Sequence, residues 1–433
     1  MKLAIIGAGW AGLAAAVAAT QAGHHATVFE ASRAMGGRAR GLKGTLPDGS
    51  AVTLDNGQHI LIGAYTETLN LMRQVGVNPD EVLLRLPLTL RFPDGGGLTL
   101  PRWPSPWDAA GGILAAKGWG VMDRLSLLTT ATRWQLAGFV CAREVSVAQV
   151  CERLSPKVMA ELIEPLCVSA LNTPADRASG QVFLRVLRDT LFGVPGGSNL
   201  LLPKTDLSAL FPDAAAAWVT RHGGQVCTAE RVDRLAFKGE GWRVNDTRFD
   251  AVILATSASE SARAFADCAQ TAPYFIANQL DRWVDITRPL RHEAITTTYA
   301  WAQGASLTRP MLALRSTASA PAQFVFDRGQ LGGPAGLLAF VVSASSGERD
   351  VLQDQVLSQA HEQLGLRLQA VQTVVEKRAT FACTPGLQRP TMHVAPGLLA
   401  CGDYIEGPYP ATLEGAVRSG LAAGQALFAR ATA

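Results

Sequence analysis

No two cysteines in this chain form a CxxC pair, and its seven histidines form no ligand cluster. Zinc spacing is therefore absent, and no metal site is expected. The cysteines (Cys141, Cys151, Cys167, Cys227, Cys268, Cys383 and Cys401) are odd in number, which argues against a disulfide framework and for reduced thiols in a cytoplasmic protein. There is no lysine-arginine run, and the formal net charge is only +3, so the electrostatic footprint of a nucleic-acid binder is missing. Charged residues make up only 17% of the chain and mean hydropathy is +0.14, which points to an apolar substrate or a membrane-facing patch. Lys2 and the apolar stretch Leu3 to Thr20 imitate a signal peptide, but glycines at 7, 9 and 12 punctuate that stretch in a pattern with another use.

That use is nucleotide binding. Leu3 to Gly7 reads as a short buried parallel strand, followed by Gly7-Ala8-Gly9-Trp10-Ala11-Gly12. Gly7 permits the tight turn, Gly9 lets a pyrophosphate approach the backbone, and Gly12 lets the following alanine-rich helix pack close to the strand. A second strand, Ala26 to Phe29, ends at Glu30, eighteen residues after Gly12, where a carboxylate can accept both ribose hydroxyls of an adenosine. The motif alone leaves NAD and FAD both open.

The next segment, Ala31-Ser32-Arg33-Ala34-Met35-Gly36-Gly37-Arg38-Ala39-Arg40, resembles the second fingerprint of the FAD-dependent amine oxidase and carotenoid desaturase superfamily. The resemblance implies FAD. Gly36 and Gly37 would bring backbone N–H groups to the phosphates, and Arg38 would add a bidentate contact. It also implies that the stretch around Gly57, Gln58 and His59 passes along the flavin ring. Val232, in an expected strand Ala229 to Leu235, would lend its backbone to the adenine. At the other end, Gly397 to Asp403 reads as a strand ending at an acid, with Gly402 keeping the backbone clear and Asp403 placed for the ribityl hydroxyls. A helix beginning near Thr412 and Leu413 would point its positive end at the flavin.

The fold expected is α/β, a Rossmann-type FAD-binding domain (a GR2-type flavoprotein) with an interleaved α+β substrate domain. The FAD-binding parts are expected at 1–80, 196–261 and 391–433, and the substrate-domain parts at 81–195 and 262–390. Residues 103–139 carry Trp103, Trp107, Trp119 and Trp134 with Lys117, Arg124 and Arg133 between them. They read either as core helices of the substrate domain or as a segment touching a bilayer interface, and no apolar run there is long enough to span.

Three segments narrow the family: Asp55-Asn56-Gly57-Gln58-His59 through Tyr65, Glu164-Pro165-Leu166 through Leu171-Asn172-Thr173-Pro174, and Tyr404-Ile405-Glu406-Gly407-Pro408-Tyr409-Pro410-Ala411-Thr412. With them the whole chain resembles the squalene-associated desaturase-like family, the hydroxysqualene dehydroxylases of bacterial hopanoid pathways. The resemblance implies a long apolar isoprenoid substrate whose hydroxyl leaves as water and is replaced by hydride from reduced FAD. Candidates for the proton donor are Tyr404, Glu406, Tyr409, His59 and Glu164, which spacing does not separate. A carotenoid-type desaturase, a flavin amine oxidase and a non-catalytic prenyl-binding protein on the same fold are the alternatives. The electron donor stays unidentified, because Gly332-Gly333-Pro334-Ala335-Gly336 has the wrong spacing for a second dinucleotide site. The expected location is cytoplasmic, with peripheral contact at the inner membrane face as the variant that residues 103–139 raise.

Overall fold

The computed structural model describes residues 1–239 and 241–426. The last seven residues of the stretch assigned to FAD binding, 427–433, lie outside the described residues. The frame is a six-stranded sheet in the order Gln225–Thr228, His25–Glu30, Lys2–Ile6, Ala251–Leu254, Leu398–Ala400, His393–Ala395. All neighbours run parallel except the last pair, so the carboxyl ends of five strands share one edge. In a doubly wound sheet that edge is where a dinucleotide binds. The strands come from the beginning, middle and end of the chain, so the sheet closes only when the termini meet.

They meet through two helices made of small residues. Trp10–Gln21 is buried from Trp10 through Thr20, with no polar face. Its alanines let the helix Leu413–Ala426 approach until a Cβ on Gly420 would lie 2.1 Å from the Ala11 carbonyl oxygen. A side chain at Gly424 would likewise sit 2.7 Å from the Ala15 carbonyl oxygen. Alanine and glycine are therefore packing requirements here, as well as strong and weak helix formers.

A buried acid ties this helix pair to a third helix. Thr66–Gln74 has no side-chain cap of its own. Glu414, fully buried, supplies the cap from the C-terminal helix: it accepts the backbone N–H groups of Glu67 (3.1 Å) and Thr68 (2.9 Å) and the Thr68 hydroxyl (2.6 Å). Arg418 neutralises it at 2.7 Å. Glu414→Ala removes an anion that satisfies three donors and leaves Arg418 unpaired. The expected loss is about 3–5 kcal/mol of stability, read from urea unfolding followed by circular dichroism. Glu414→Gln should lose less, because an amide oxygen still caps the helix.

The second unit is a five-stranded antiparallel sheet in the order Met311–Ala313, Phe324–Asp327, Leu337–Ser345, His292–Trp301, Gln369–Phe381. Helices from 107 to 193 cover one of its faces, among them Trp107–Leu114, Val121–Leu136, Glu164–Leu171 and Gly180–Arg188. The Leu171-Asn172-Thr173-Pro174 segment is the tie between these helices and the sheet. Asn172 ends its helix in the left-handed region (φ 46°), accepts Ala344 N–H at 2.6 Å and donates to Thr380 Oγ1 at 3.0 Å. Thr173 Oγ1 accepts Cys383 N–H at 3.1 Å. A strand expected over Ala229 to Leu235 is corrected: Val232 lies in an irregular connection, and the strand begins at Leu235. Asn245 Oδ1 holds that connection by accepting the N–H groups of Asp233 and Arg234, which removes them from any ladder.

Candidate functional site

One cavity of about 1110 Å³ runs from the carboxyl edge of the parallel sheet, under the antiparallel sheet, to the helices of residues 107–192. It exceeds the roughly 300–1,000 Å³ typical of sites for drug-sized ligands, so it has room for a dinucleotide and a second ligand.

The glycines at its sheet end divide by cause. A Cβ on Gly7 would lie 2.7 Å from the Ala255 carbonyl oxygen, and one on Gly12 would lie 1.9 Å from that of Gly7. These two are forced by the chain itself. Gly9 also lines the cavity, yet a Cβ there meets no protein atom within 4 Å. Glycine at 9 is therefore explained by a ligand approaching the backbone rather than by packing. Gly36 and Gly37 both adopt positive φ (97° and 61°), and Gly36 N–H bonds the Ala8 carbonyl at 2.9 Å, which seats the second fingerprint against the first. Trp10 completes the join by donating its indole N–H to the Ala39 carbonyl at 3.0 Å.

Glu30 lines the cavity with both carboxylate oxygens oriented by backbone N–H groups, Ala8 on Oε2 and Ser32 on Oε1, each at 2.8 Å. A carboxylate has about four acceptor positions, so two remain for ribose hydroxyls. Val232 also lines the cavity, and its N–H and C=O make no hydrogen bond among the described residues. That leaves both groups open to an adenine edge.

Arg38 and Asp403 were expected on separate parts of the cofactor. The structure pairs them: Arg38 Nη2 donates to Asp403 Oδ1 at 2.5 Å, and Nη1 donates to the Ala379 carbonyl at 2.7 Å. Arg38 thus links the FAD-binding sheet to the substrate sheet, and it also lines the cavity, with two of its five N–H groups engaged in these contacts. Asp403 keeps Oδ2. Gly402 is locked to the last helix, its N–H on Ser419 Oγ at 2.8 Å, and a Cβ there would strike the Tyr404 ring at 2.6 Å. Thr412 caps that helix through Gly415 N–H (3.0 Å), and Thr412 and Leu413 both line the cavity, so the helix N-terminus with its unpaired N–H groups faces the ligand space.

Around the middle of the cavity lie Asn56, Gly57, Gln58 and His59. Gln58 is buried, its amide oxygen accepting Arg328 Nη1 at 3.2 Å. Behind it, burial pushes the Asp55 carboxyl up to about 6, with Arg328 offsetting part of that rise. His59 Nδ1 lies 2.6 Å from the Gly57 carbonyl oxygen. That contact assigns the proton to Nδ1 and leaves Nε2 as an acceptor. Burial and then the Arg38 charge hold the imidazole below its ordinary pKa, with the Gly57 carbonyl opposing them. His59 is therefore neutral at neutral pH. The unfolded chain takes up this proton below about pH 6.5 while the folded chain resists it, so the stabilising difference holds above that pH and is lost as pH falls through the lowered value. Urea midpoints at about pH 7.5 and about pH 5.5 should differ more in the parent protein than in His59→Gln.

The candidate proton donors separate by position. Tyr409 and His59 line the cavity. Tyr409 packs edge-on against Tyr65 at 5.9 Å, and burial raises its phenol pKa. Tyr404, Glu406 and Glu164 do not line it. Tyr404 is turned into the core, its hydroxyl 3.0 Å from Ser261 Oγ and its ring against Trp283. Glu406 and Glu164 are exposed to solvent. Sequence reasoning passed over Glu376, a cavity-lining carboxylate on the strand Gln369–Phe381 that accepts Asn56 Nδ2 at 3.2 Å. No spacing marked it, since its partner is 320 positions away.

The chain is similar to known proteins along nearly its whole length. The model of the family described as flavin containing amine oxidoreductase matches residues 10–427. The chain is 25% identical over 449 residues to hydroxysqualene dehydroxylase of Zymomonas mobilis subsp. mobilis, covering 96% of each. It is 26% identical over 499 residues to carotenoid phi-ring synthase of Streptomyces griseus, covering 99% of this chain and 88% of that one. Among solved structures, cyclohexylamine oxidase from Brevibacterium oxydans superimposes with a TM-score of 0.71 at 16% identity, over 100% of this chain and 99% of that one.

Proposed function

The chain belongs to the flavin-containing amine oxidoreductase family, and from that premise we propose that it removes the hydroxyl group of hydroxysqualene to give squalene. Its class is FAD-dependent oxidoreductase. The observation that carries the finer reading is the character of the long cavity: nucleotide-binding backbone at one end, and at the other a wall of side chains such as Leu100, Ile113, Leu127, Phe183 and Phe326. Such a wall suits a long isoprenoid.

Bound FAD, once reduced by a donor outside the chain, supplies the hydride that replaces the hydroxyl, which leaves as water with one added proton. The chain's own residues do the rest. Gly9, Glu30 and Val232 hold the adenosine and pyrophosphate end. The first turn at Leu413 and the Asp403 carboxylate hold the flavin end. The apolar wall excludes water, so that each polar group at the cavity's middle counts for more. Tyr409 keeps its proton across the neutral range and is the group we assign to donating toward the departing hydroxyl. Neutral His59 offers Nε2 as an acceptor, and this suits it to orient the substrate O–H before that step.

Giving the reduced holoenzyme hydroxysqualene in one vessel and the oxidised holoenzyme a phytoene-like polyene in another tests the reading. Squalene from the first and unchanged polyene in the second is the expected pair of results. Desaturated polyene from oxidised enzyme, with hydroxysqualene untouched, would assign the chain to the carotenoid-type reading instead.

A further inference from the structure

The exposed large apolar side chains of this protein are concentrated around the cavity's far end. Val121, Met122, Leu125 and Leu136 are 74%, 73%, 49% and 84% exposed, and helical spacing puts all four on one side of Val121–Leu136. On the flank of that same side, Leu128, Thr132 and Gln135 line the cavity. Trp107, 68% exposed, and Phe192 both stand at the surface and line the cavity, so the apolar surface and the apolar interior are continuous.

Named contacts hold these pieces together. Trp103 packs on Gly111, where a Cβ would fall 2.4 Å from its ring. Ser105 Oγ bonds the Leu191 carbonyl, and Phe192 packs on Phe139 at 5.3 Å. The exposed charges between residues 101 and 140 are Arg102, Lys117 and Arg133, all positive, while Asp108 is buried and Asp123 is half-buried against Ser155.

We propose that this face docks on an anionic lipid bilayer, with the cavity mouth opening into its acyl layer. An amphipathic helix lying in the interface, apolar side chains inward and cations at headgroup level, has this composition. The tryptophans at 103 and 107 are the residue type that favours that depth. A second copy of the chain fits worse. A two-fold interface would bring like charges together and would close the mouth. The proposal rests on the reading of the cavity as an isoprenoid site, since a mouth in the acyl layer serves a substrate dissolved there. No helix among the described residues is long and apolar enough to cross a membrane, so the contact is peripheral on this account.

The test is co-sedimentation of the FAD-loaded protein with vesicles of phosphatidylcholine alone and of phosphatidylcholine with equimolar phosphatidylglycerol. The parent protein should bind the mixed vesicles more strongly. Met122→Asp combined with Leu136→Asp should lower its partition onto them by at least about tenfold, and Lys117→Glu with Arg133→Glu should abolish the preference for the anionic lipid. Neither pair lines the cavity, so both variants should keep the parent's flavin absorbance and its turnover of detergent-dispersed substrate. Failure of the parent to bind either vesicle, or binding unaffected by the aspartate pair, overturns the proposal. So does a dimer in light scattering that the aspartate pair dissolves, which would give the face to a second copy. Vesicle binding without squalene formation would retain the docking face and count against the substrate reading alone.

Discussion

Gly9→Val is expected to give a folded, colourless protein. A Cβ at this position meets nothing of the chain within 4 Å, so the fold leaves room where a side chain would start, whereas the pyrophosphate that glycine admits does not. Flavin absorbance in the purified variant should fall to background, unfolding by urea should stay within about 0.5 kcal/mol of that of the parent stripped of its FAD, and all turnover should vanish. Gly12→Val serves as the contrast. Its Cβ would lie 1.9 Å from the Gly7 carbonyl oxygen, so it should lose the fold along with the cofactor. A yellow Gly9→Val would mean that the dinucleotide does not cross the sheet edge where the glycine motif puts it.

Tyr409→Phe is expected to bind FAD normally and to lower the rate of squalene formation by about 10²–10⁴-fold, the range for loss of a positioned acid. Phenylalanine keeps the ring that packs on Tyr65 and lies under Arg418, 5.2 Å from the Tyr409 ring centroid, so only the hydroxyl is removed. Rapid mixing of the reduced variant with substrate reads the step directly. Tyr404→Phe should keep the parent rate, because its hydroxyl is turned to Ser261 outside the cavity, and full rate in the Tyr409 variant would pass the donor role to His59, Glu376 or water.

The sequence made some of this legible and hid the rest for a physical reason. Gly7, Gly12 and the strand, turn and helix around them follow from backbone sterics within a dozen residues, and the parallel sheet follows from short apolar runs that end in small residues. FAD followed from the second fingerprint at Gly36 and Gly37. What was hidden depends on partners far apart in the chain. Arg38 and Asp403, 365 positions apart, hold each other. Glu414 caps a helix that begins at Thr66. Asn172 and Thr173 carried a recognisable motif, yet their work is to tie helices to a sheet through Ala344, Thr380 and Cys383. The Tyr404 to Tyr409 loop stands out in the sequence as a segment, but which tyrosine faces the cavity depends on the turn at Gly402 and on the positive φ at Tyr409 (56°), neither of which side-chain type reveals. The tryptophan-rich stretch divides in the same way: Trp119 and Trp134 are core residues, while Trp103 and Trp107 lie at the surface.

Replacement of an isoprenoid hydroxyl by hydride is the reaction proposed for this flavoenzyme. Its most direct test is an anaerobic single turnover: protein with its FAD fully reduced, mixed with hydroxysqualene and no other electron donor. Flavin absorbance should return as squalene appears, one molecule for each flavin reoxidised. Flavin that stays reduced while hydroxysqualene is recovered intact would contradict it.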